Sequence, residues 1–341
     1  MGKTKFSVGV VLFVALGILL IGPAPWALAQ NIELKLAHFM PTMHIQHREA
    51  FVPFANKVSE ITGGKLTVKI YPGGTLGNPK TMVDSISKGI TDIGFVLPRY
   101  VTGRFPRSSV FDLPFIFESS VHLTKVMYDL YDEYFMEDYK AFKVLWFLSS
   151  PLSQLHTIKK PVLKVADFKG MRIRTSGAIE SQTVKKLGGN PVSMPISELS
   201  IALQKGVVDG AITPYAALKS FKLIDLTKHI TEINLSATLM VVLMNKKKWN
   251  SLPDFAREAI DQVATREFGL KAAGAYVQED IENIELGKTR GIQFHKLSEA
   301  EKTRLRNKIS DLWQEWVKRN QKRFASQEML DAVLASAKAN R

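Results

Sequence analysis

The strongest constraint on the fold is an alternation of strand and helix patterns that continues through the middle of the chain. Apolar residues alternate with arginines over residues 171–175, which is the period of a strand, and helix spacing then runs to a stop at Gly188 and Gly189. The same order repeats, with a strand at 191–194, a helix from Ser197 and a strand from Val207. Two successive β-α-β units predict a parallel sheet, in which ligands bind at the carboxyl ends of the strands.

Arg174 and Thr213 fall at those predicted strand ends. A planar guanidinium matches the fork of a carboxylate, so Arg174 is a candidate anion-binding residue. The alternative is a strand arginine on the surface that pairs with a nearby acid. Arg172 shares the same face by strand period, and we expect it to be solvated.

The N-terminal half repeats the alternation, so the pattern predicts an α/β fold with two doubly wound domains joined by a hinge. We expect domain I at residues 30–150 plus about 240–280. Domain II is expected at 151–239 plus about 281–341, including the C-terminal helices. Helix spacing continues over residues 254–289, which predicts a long helix that either bends or spans both domains.

The first 29 residues have the pattern of a secretory signal peptide. Lys3 and Lys5 precede an apolar run, and Ala27-Leu28-Ala29 fits a cleavage site. A retained membrane anchor is the alternative, but the run is short for a bilayer span. Export to the periplasm is therefore expected, with a core that holds without disulfides because the chain has no cysteine. The net charge of +14 comes from dispersed lysines, which does not favour a nucleic-acid partner.

Five segments together resemble the periplasmic solute-binding proteins of tripartite ATP-independent periplasmic (TRAP) transporters, the DctP-type family. They are YPGGTLGNP at 71–79, GITDIGF at 89–95, FP with DLPFIF between 105 and 117, DFKGMRIR at 167–174 and LQKGVVDG at 203–210. The resemblance implies a hinged, two-domain periplasmic-binding-protein fold of type II. It also implies an arginine that holds an organic acid by a bidentate salt bridge, here Arg174.

Departures from the family pattern narrow the expected ligand. Gln154 stands where many sialic-acid and dicarboxylate binders have a second arginine, Thr213 where several relatives have asparagine, and Leu97 where sialic-acid binders have glutamate. Further candidate residues of the site are Phe39, Tyr100, Trp146, Ile196 and Tyr215 as walls and His38 as a ligand contact. We therefore expect a monocarboxylate with an apolar or aromatic body.

The resemblance implies a monomer that delivers this ligand to small and large TRAP membrane subunits for sodium-driven uptake. A periplasmic sensor using the same pocket is the alternative. A secreted enzyme is disfavoured because the chain has no G-x-S-x-G, H-E-x-x-H or P-loop motif. His38, His44 and His47 raise a metal hypothesis, but a zinc site needs three or four supported ligands, so neither a metal nor a cofactor is expected.

Overall fold

The computed structural model describes residues 1–3 and 31–341, so residues 4–29 of the predicted signal peptide lie outside the described residues. Residues Asn31–Arg341 form one compact unit. Within the described part of the chain, no helix is both long enough and apolar enough to cross a membrane.

The first lobe is built on a five-stranded sheet with the strand order β2-β1-β3-β10-β4. Strands β1 to β3 are parallel, whereas β10 runs antiparallel to both β3 and β4. The strands are β1 Ile32–Ala37, β2 Leu66–Tyr71, β3 Ile93–Val96, β4 Phe142–Ser149 and β10 Leu239–Asn245.

The second lobe is built on a six-stranded sheet with the order β11-β9-β5-β8-β6-β7. Strands β6, β7 and β8 are parallel, as two successive β-α-β units require, and β5 runs antiparallel between β8 and β9. The strands are β5 Gln154–Thr157, β6 Arg172–Thr175, β7 Asn190–Ser193, β8 Gly210–Thr213, β9 His229–Glu232 and β11 Gln293–Lys296.

Helices cover both sheets. They are α1 Val52–Ile61, α2 Met82–Ser87, α3 Ser120–Leu130, α4 Met136–Tyr139, α5 Ala178–Lys186, α6 Ile196–Gln204, α7 Ala217–Ser220, α8 Lys246–Ser251, α9 Asp254–Val263, α10 Arg266–Thr289, α11 Glu299–Lys308, α12 Leu312–Asn320 and α13 Ser326–Ala339. The helical pattern over 254–289 is therefore two helices. The chain leaves α9 at Ala264, and the Thr265 side chain caps α10 by accepting the N–H of Phe268.

Helix α10 spans the two lobes, because it packs on α3 and β4 of the first and on α7 of the second. The C-terminal segment is divided between the lobes. Helix α12 packs on α5 of the second lobe, whereas α13 packs on α3 of the first.

Two chain segments cross between the lobes, one after β4 and one before β10. They pair with each other, because the Ser150 N–H donates to the Thr238 carbonyl at 2.9 Å and the Ser153 N–H donates to the Ser236 carbonyl at 2.9 Å. The domain boundaries expected from the sequence, at about 150 and about 240, stay a prediction. These two paired crossing segments therefore connect the lobes side by side.

Candidate functional site

A cavity of about 60 Å³ lies between the lobes, above the paired crossing segments. The first lobe contributes Phe39, Phe95 and Leu97 to its walls, and the second contributes Arg174, Ile196 and Thr213. Ser150, Ser153 and Thr238 line it from the crossing segments, and Tyr276 lines it from α10. The walls are therefore mainly apolar, with a few polar groups in fixed places, as is typical of small-molecule sites.

Five of the nine ligand-binding residues expected from the sequence line this cavity: Arg174, Thr213, Phe39, Leu97 and Ile196. Tyr100, expected as a wall residue, lines it as well. The other four, Gln154, His38, Tyr215 and Trp146, do not.

Arg174 lies in β6, between β7 and β8, and is 2% exposed. Its Nε donates to the Met194 carbonyl at 3.0 Å, Nη1 to the Ile212 carbonyl at 3.2 Å and Nη2 to the Tyr100 hydroxyl at 2.9 Å. A guanidinium has five N–H donors, so one N–H on each terminal nitrogen has no partner among the described residues. These are the two nitrogens that a bidentate carboxylate engages end-on.

The guanidinium of Arg174 has no carboxylate partner within the described part of the chain. Its three acceptors are two carbonyl oxygens and one hydroxyl oxygen, all of which are neutral. A buried charge without a counter-charge is unfavourable, so this arrangement favours the binding of an anion.

Tyr100 links the two lobes at this arginine. Its hydroxyl, which belongs to the first lobe, also accepts the N–H of Ile196 at 3.1 Å, at the start of helix α6 in the second lobe. Two donors of the second lobe therefore converge on one oxygen of the first. The aromatic ring of Tyr100 packs edge-on against Phe39, at 6.4 Å between ring centroids.

Gln154 acts in the hinge and not in the cavity. Its Oε1 accepts the N–H groups of Ile233 at 2.9 Å and Asn234 at 3.0 Å, and its Nε2 donates to Asn234 Oδ1 at 2.7 Å. Asn234 has a left-handed backbone, with φ 44°. The side chain of Gln154 therefore stabilises the turn that leads into the second crossing segment.

His38 and Trp146 belong to the core of the first lobe. His38 Nε2 lies 3.0 Å from His47 Nδ1, and the ring stacks on Phe51. Burial, together with His47, lowers the pKa of His38 to about 3. Trp146 is fully buried and packs between Phe54 and Phe268.

Tyr215 lies behind the cavity wall, although both its neighbours in the chain, Pro214 and Ala216, line the cavity. Its ring packs against His156 and Phe294, at 6.2 and 6.0 Å between centroids. The side chain of a residue near a strand end can lie on either face of the sheet, so its position in the sequence does not show whether it lines the cavity.

His44, Tyr276 and Phe221 line the cavity and were not expected there. His44 belongs to the group of three histidines that raises the metal hypothesis. Among residues 31–341, no three His, Cys, Asp or Glu side chains are arranged to hold a metal ion. Tyr276 reaches the cavity from the middle of α10, where only the docking of the helix determines which residue faces the cleft.

A buried ion cluster joins the lobes beside the cavity. Arg99 of the first lobe is 2% exposed in its side chain and pairs with Asp112 at 2.7 Å and with Glu180 of α5 at 3.2 Å. The same guanidinium donates to the hydroxyl of Ser176, a cavity residue, at 2.9 Å and to the Ala237 carbonyl at 3.1 Å. Arg99 thus connects the first lobe, the second lobe and a crossing segment.

Glu279 on α10 predicts a pH dependence of stability. It is 5% exposed, and burial raises its pKa to about 7, with the Asp280 charge adding to the shift and Arg48 opposing it. Between the ordinary glutamate pKa of 4.5, which applies to the unfolded state, and that value, the folded state keeps a proton that the unfolded state has lost. This contribution to stability therefore decreases as the pH rises through that window and is constant above it.

We expect Glu279→Gln to remove this dependence, because the amide does not titrate. The free energy of unfolding of the wild type, relative to the variant, should fall between pH 4.5 and 7 by up to about 1.4 kcal/mol per pH unit. Urea titrations of both proteins at pH 4.5, 5.5, 6.5 and 7.5 measure it. If the free energies of unfolding of the two proteins differed by the same amount at every pH, Glu279 would have an ordinary pKa.

Comparison with known proteins gives consistent matches. The family model DctP, described as bacterial extracellular solute-binding protein, family 7, matches residues 36–320. A Haemophilus influenzae protein described as uncharacterized is 32% identical over 241 residues, covering 70% of this chain and 73% of that protein.

Two solved structures share the fold at a TM-score of 0.87. One is a marine metagenome TRAP solute-binding protein described as specific for aromatic acid ligands, in complex with 3-hydroxybenzoate. It is 28% identical, and the match covers 91% of this chain and 99% of that one. The other is a TRAP solute-binding protein from Rhodoferax ferrireducens in complex with copurified benzoate. It is 25% identical, and the match covers 91% of this chain and 98% of that one.

Proposed function

The chain belongs to family 7 of the bacterial extracellular solute-binding proteins, the solute-binding components of TRAP transporters, and we propose that it captures a small monocarboxylate with an apolar or aromatic body. The family membership confirms the predicted resemblance and the predicted type II fold. It also confirms that the chain is a binding protein of a transporter and not an enzyme.

The observation that carries the proposal is the buried guanidinium of Arg174, which faces the cavity without a counter-charge among the described residues. Among the described residues that line the cavity, Arg174 alone carries a permanent charge, since no Asp or Glu contributes to the walls. One fixed positive charge is balanced by one carboxylate. A second carboxylate on the ligand would be desolvated without a partner, which is costly.

The size and polarity of the cavity support a compact ligand with an apolar body. One water molecule needs about 10 to 15 Å³ of such space, so about 60 Å³ holds a handful of water molecules. Phe39, Phe95, Leu97 and Ile196 offer apolar contact surface. Two similar proteins of known structure hold 3-hydroxybenzoate and benzoate, which have this character.

In the proposed mechanism, the acid enters between the lobes and its carboxylate binds the free N–H groups of Arg174. The first lobe, through Phe39, Leu97 and Tyr100, then covers the body of the ligand. Closure makes contacts that exist only when both lobes meet around the acid, so the ligand favours the closed state. The closed, monomeric protein would carry the acid through the periplasm to the small and large membrane subunits, where a sodium gradient drives uptake.

A thermal-shift screen tests the proposed ligand class. The screen would compare benzoate, 3-hydroxybenzoate, small 2-oxo acids and dicarboxylates. At a concentration of about 100 times its Kd, a ligand that binds at one site stabilises the folded state by about 2.7 kcal/mol. We expect the aromatic monocarboxylates to raise the Tm by several degrees and the dicarboxylates to leave it unchanged. Stabilisation by dicarboxylates alone would overturn the monocarboxylate assignment.

A further inference from the structure

We propose that His44 is a specificity-determining residue that donates its Nε2–H to a neutral acceptor on the body of the ligand, away from the carboxylate. The inference rests on the proposed function, because it places a second polar contact in the same cavity. It narrows the ligand class to monocarboxylates with a hydroxyl or a similar uncharged acceptor.

The tautomer of His44 follows from its backbone contact. Nδ1 accepts the N–H of Gln46 at 3.2 Å, so in the neutral ring the proton resides on Nε2. The ring is held edge-on by Phe221 and Tyr276, at 5.8 and 5.9 Å between centroids. Both of these aromatic residues also line the cavity. The Nε2–H donor is therefore carried on a ring whose orientation is fixed.

Nε2 of His44 is the polar atom that this arrangement leaves available. It has no hydrogen-bond partner among the described residues. It is also not fully buried, so it keeps some accessible surface. The residue lines the cavity and is only 5% exposed, so the proposal places this accessible edge of the ring towards the cavity. A ligand acceptor there would satisfy this donor.

The ring stays neutral across the physiological range. Burial, together with the nearby His38, Arg48 and His47, lowers the pKa of His44 to about 3. A neutral imidazole offers a hydrogen bond without a charge, so it favours a hydroxyl or carbonyl oxygen and gives a second carboxylate little stabilisation.

His44 and Arg174 contact separate parts of the wall. The hydrogen bonds of Arg174 go to Met194, Ile212 and Tyr100, whereas His44 contacts Gln46, Phe221 and Tyr276. The two sets share no residue. In the proposed complex, the carboxylate binds Arg174 and another part of the ligand body meets His44.

Calorimetric titration of benzoate, 3-hydroxybenzoate and 4-hydroxybenzoate tests the proposal. Benzoate has the carboxylate and ring but no second acceptor, so it is the matched control ligand. In the wild type, we expect at least one hydroxybenzoate to bind about five- to tenfold more tightly than benzoate, the effect of one neutral hydrogen bond of about 1 to 1.4 kcal/mol.

His44→Phe keeps an aromatic ring and removes the donor, so it should weaken the binding of the preferred hydroxybenzoate more than that of benzoate and abolish this preference. His44→Gln, whose amide can donate from a similar place, should retain part of the preference. Circular dichroism melting curves of both variants report whether the fold is intact, and the wild-type preference is measured independently of either variant.

The outcomes separate this inference from the proposed function. A wild type that binds benzoate at least as tightly as both hydroxybenzoates overturns the role of His44, as does an equal loss for all three acids in His44→Phe. Both results leave the carboxylate site standing. A wild type that binds no carboxylate overturns the proposed function and the role of His44 with it.

Discussion

Arg174→Ala is expected to weaken the binding of a carboxylate ligand by at least about 100-fold. Removal of one partner of a desolvated, hydrogen-bonded charge pair costs 2 to 5 kcal/mol or more, and each 1.4 kcal/mol is a factor of ten in Kd. The substitution also strands the carboxylate in a cavity whose other polar groups are uncharged. Isothermal titration of the most stabilising acid with both proteins measures the change.

Arg172→Ala is the matched control for this prediction. Arg172 lies two residues earlier in the same strand, but its side chain is 46% exposed and it binds Asp209 through Nε at 3.1 Å and Nη2 at 2.7 Å. Its removal should leave the affinity within about twofold of the wild type. Arg174→Lys should give an intermediate loss, because an ammonium group keeps the charge but not the planar fork. An Arg174→Ala protein that binds as tightly as the Arg172→Ala protein would refute the assignment.

Arg99→Met is expected to cause the largest loss of stability, about 3 to 5 kcal/mol in the free energy of unfolding. The guanidinium is buried with two carboxylates, one from each lobe, and its removal leaves both without their cation. It also removes hydrogen bonds to Ser176 and to the crossing segment at Ala237. Urea denaturation of the ligand-free proteins measures the difference.

Two further proteins test the cause of that loss. Arg290→Ala breaks an exposed pair with Asp225, in which the side chains are 58% and 68% exposed, so it should change stability by less than about 1 kcal/mol. Addition of Asp112→Asn and Glu180→Gln to Arg99→Met removes the stranded charges and should restore part of the lost stability. If Arg99→Met is as mild as Arg290→Ala, the cluster does not connect the lobes energetically.

The sequence predicts the architecture well where local signals are strong. The alternating apolar pattern and the glycines at helix ends locate β6, α5, β7, α6 and β8 in the order found. The break between α9 and α10 could not be located, because residues on both sides of Ala264 have good helix spacing and the break depends on how each helix packs.

The candidate site is predicted only in part, because sequence position does not determine which way a side chain faces. His38 precedes Phe39 and Tyr215 follows Pro214, yet only Phe39 and Pro214 of these four line the cavity. Gln154 is expected at the ligand from the resemblance, but its side-chain amide binds the turn at Asn234. His44 and Tyr276 reach the cavity because α10 packs against the segment before α1. No local sequence pattern indicates this tertiary contact.

A crystal structure of the protein with the acid that most raises its Tm tests the central claim most directly. The account predicts density for the acid between the lobes, with its carboxylate oxygens within about 3.2 Å of the two terminal nitrogens of Arg174. A carboxylate that lies in the cleft without contact to Arg174, or an acid bound outside the cavity, would contradict it.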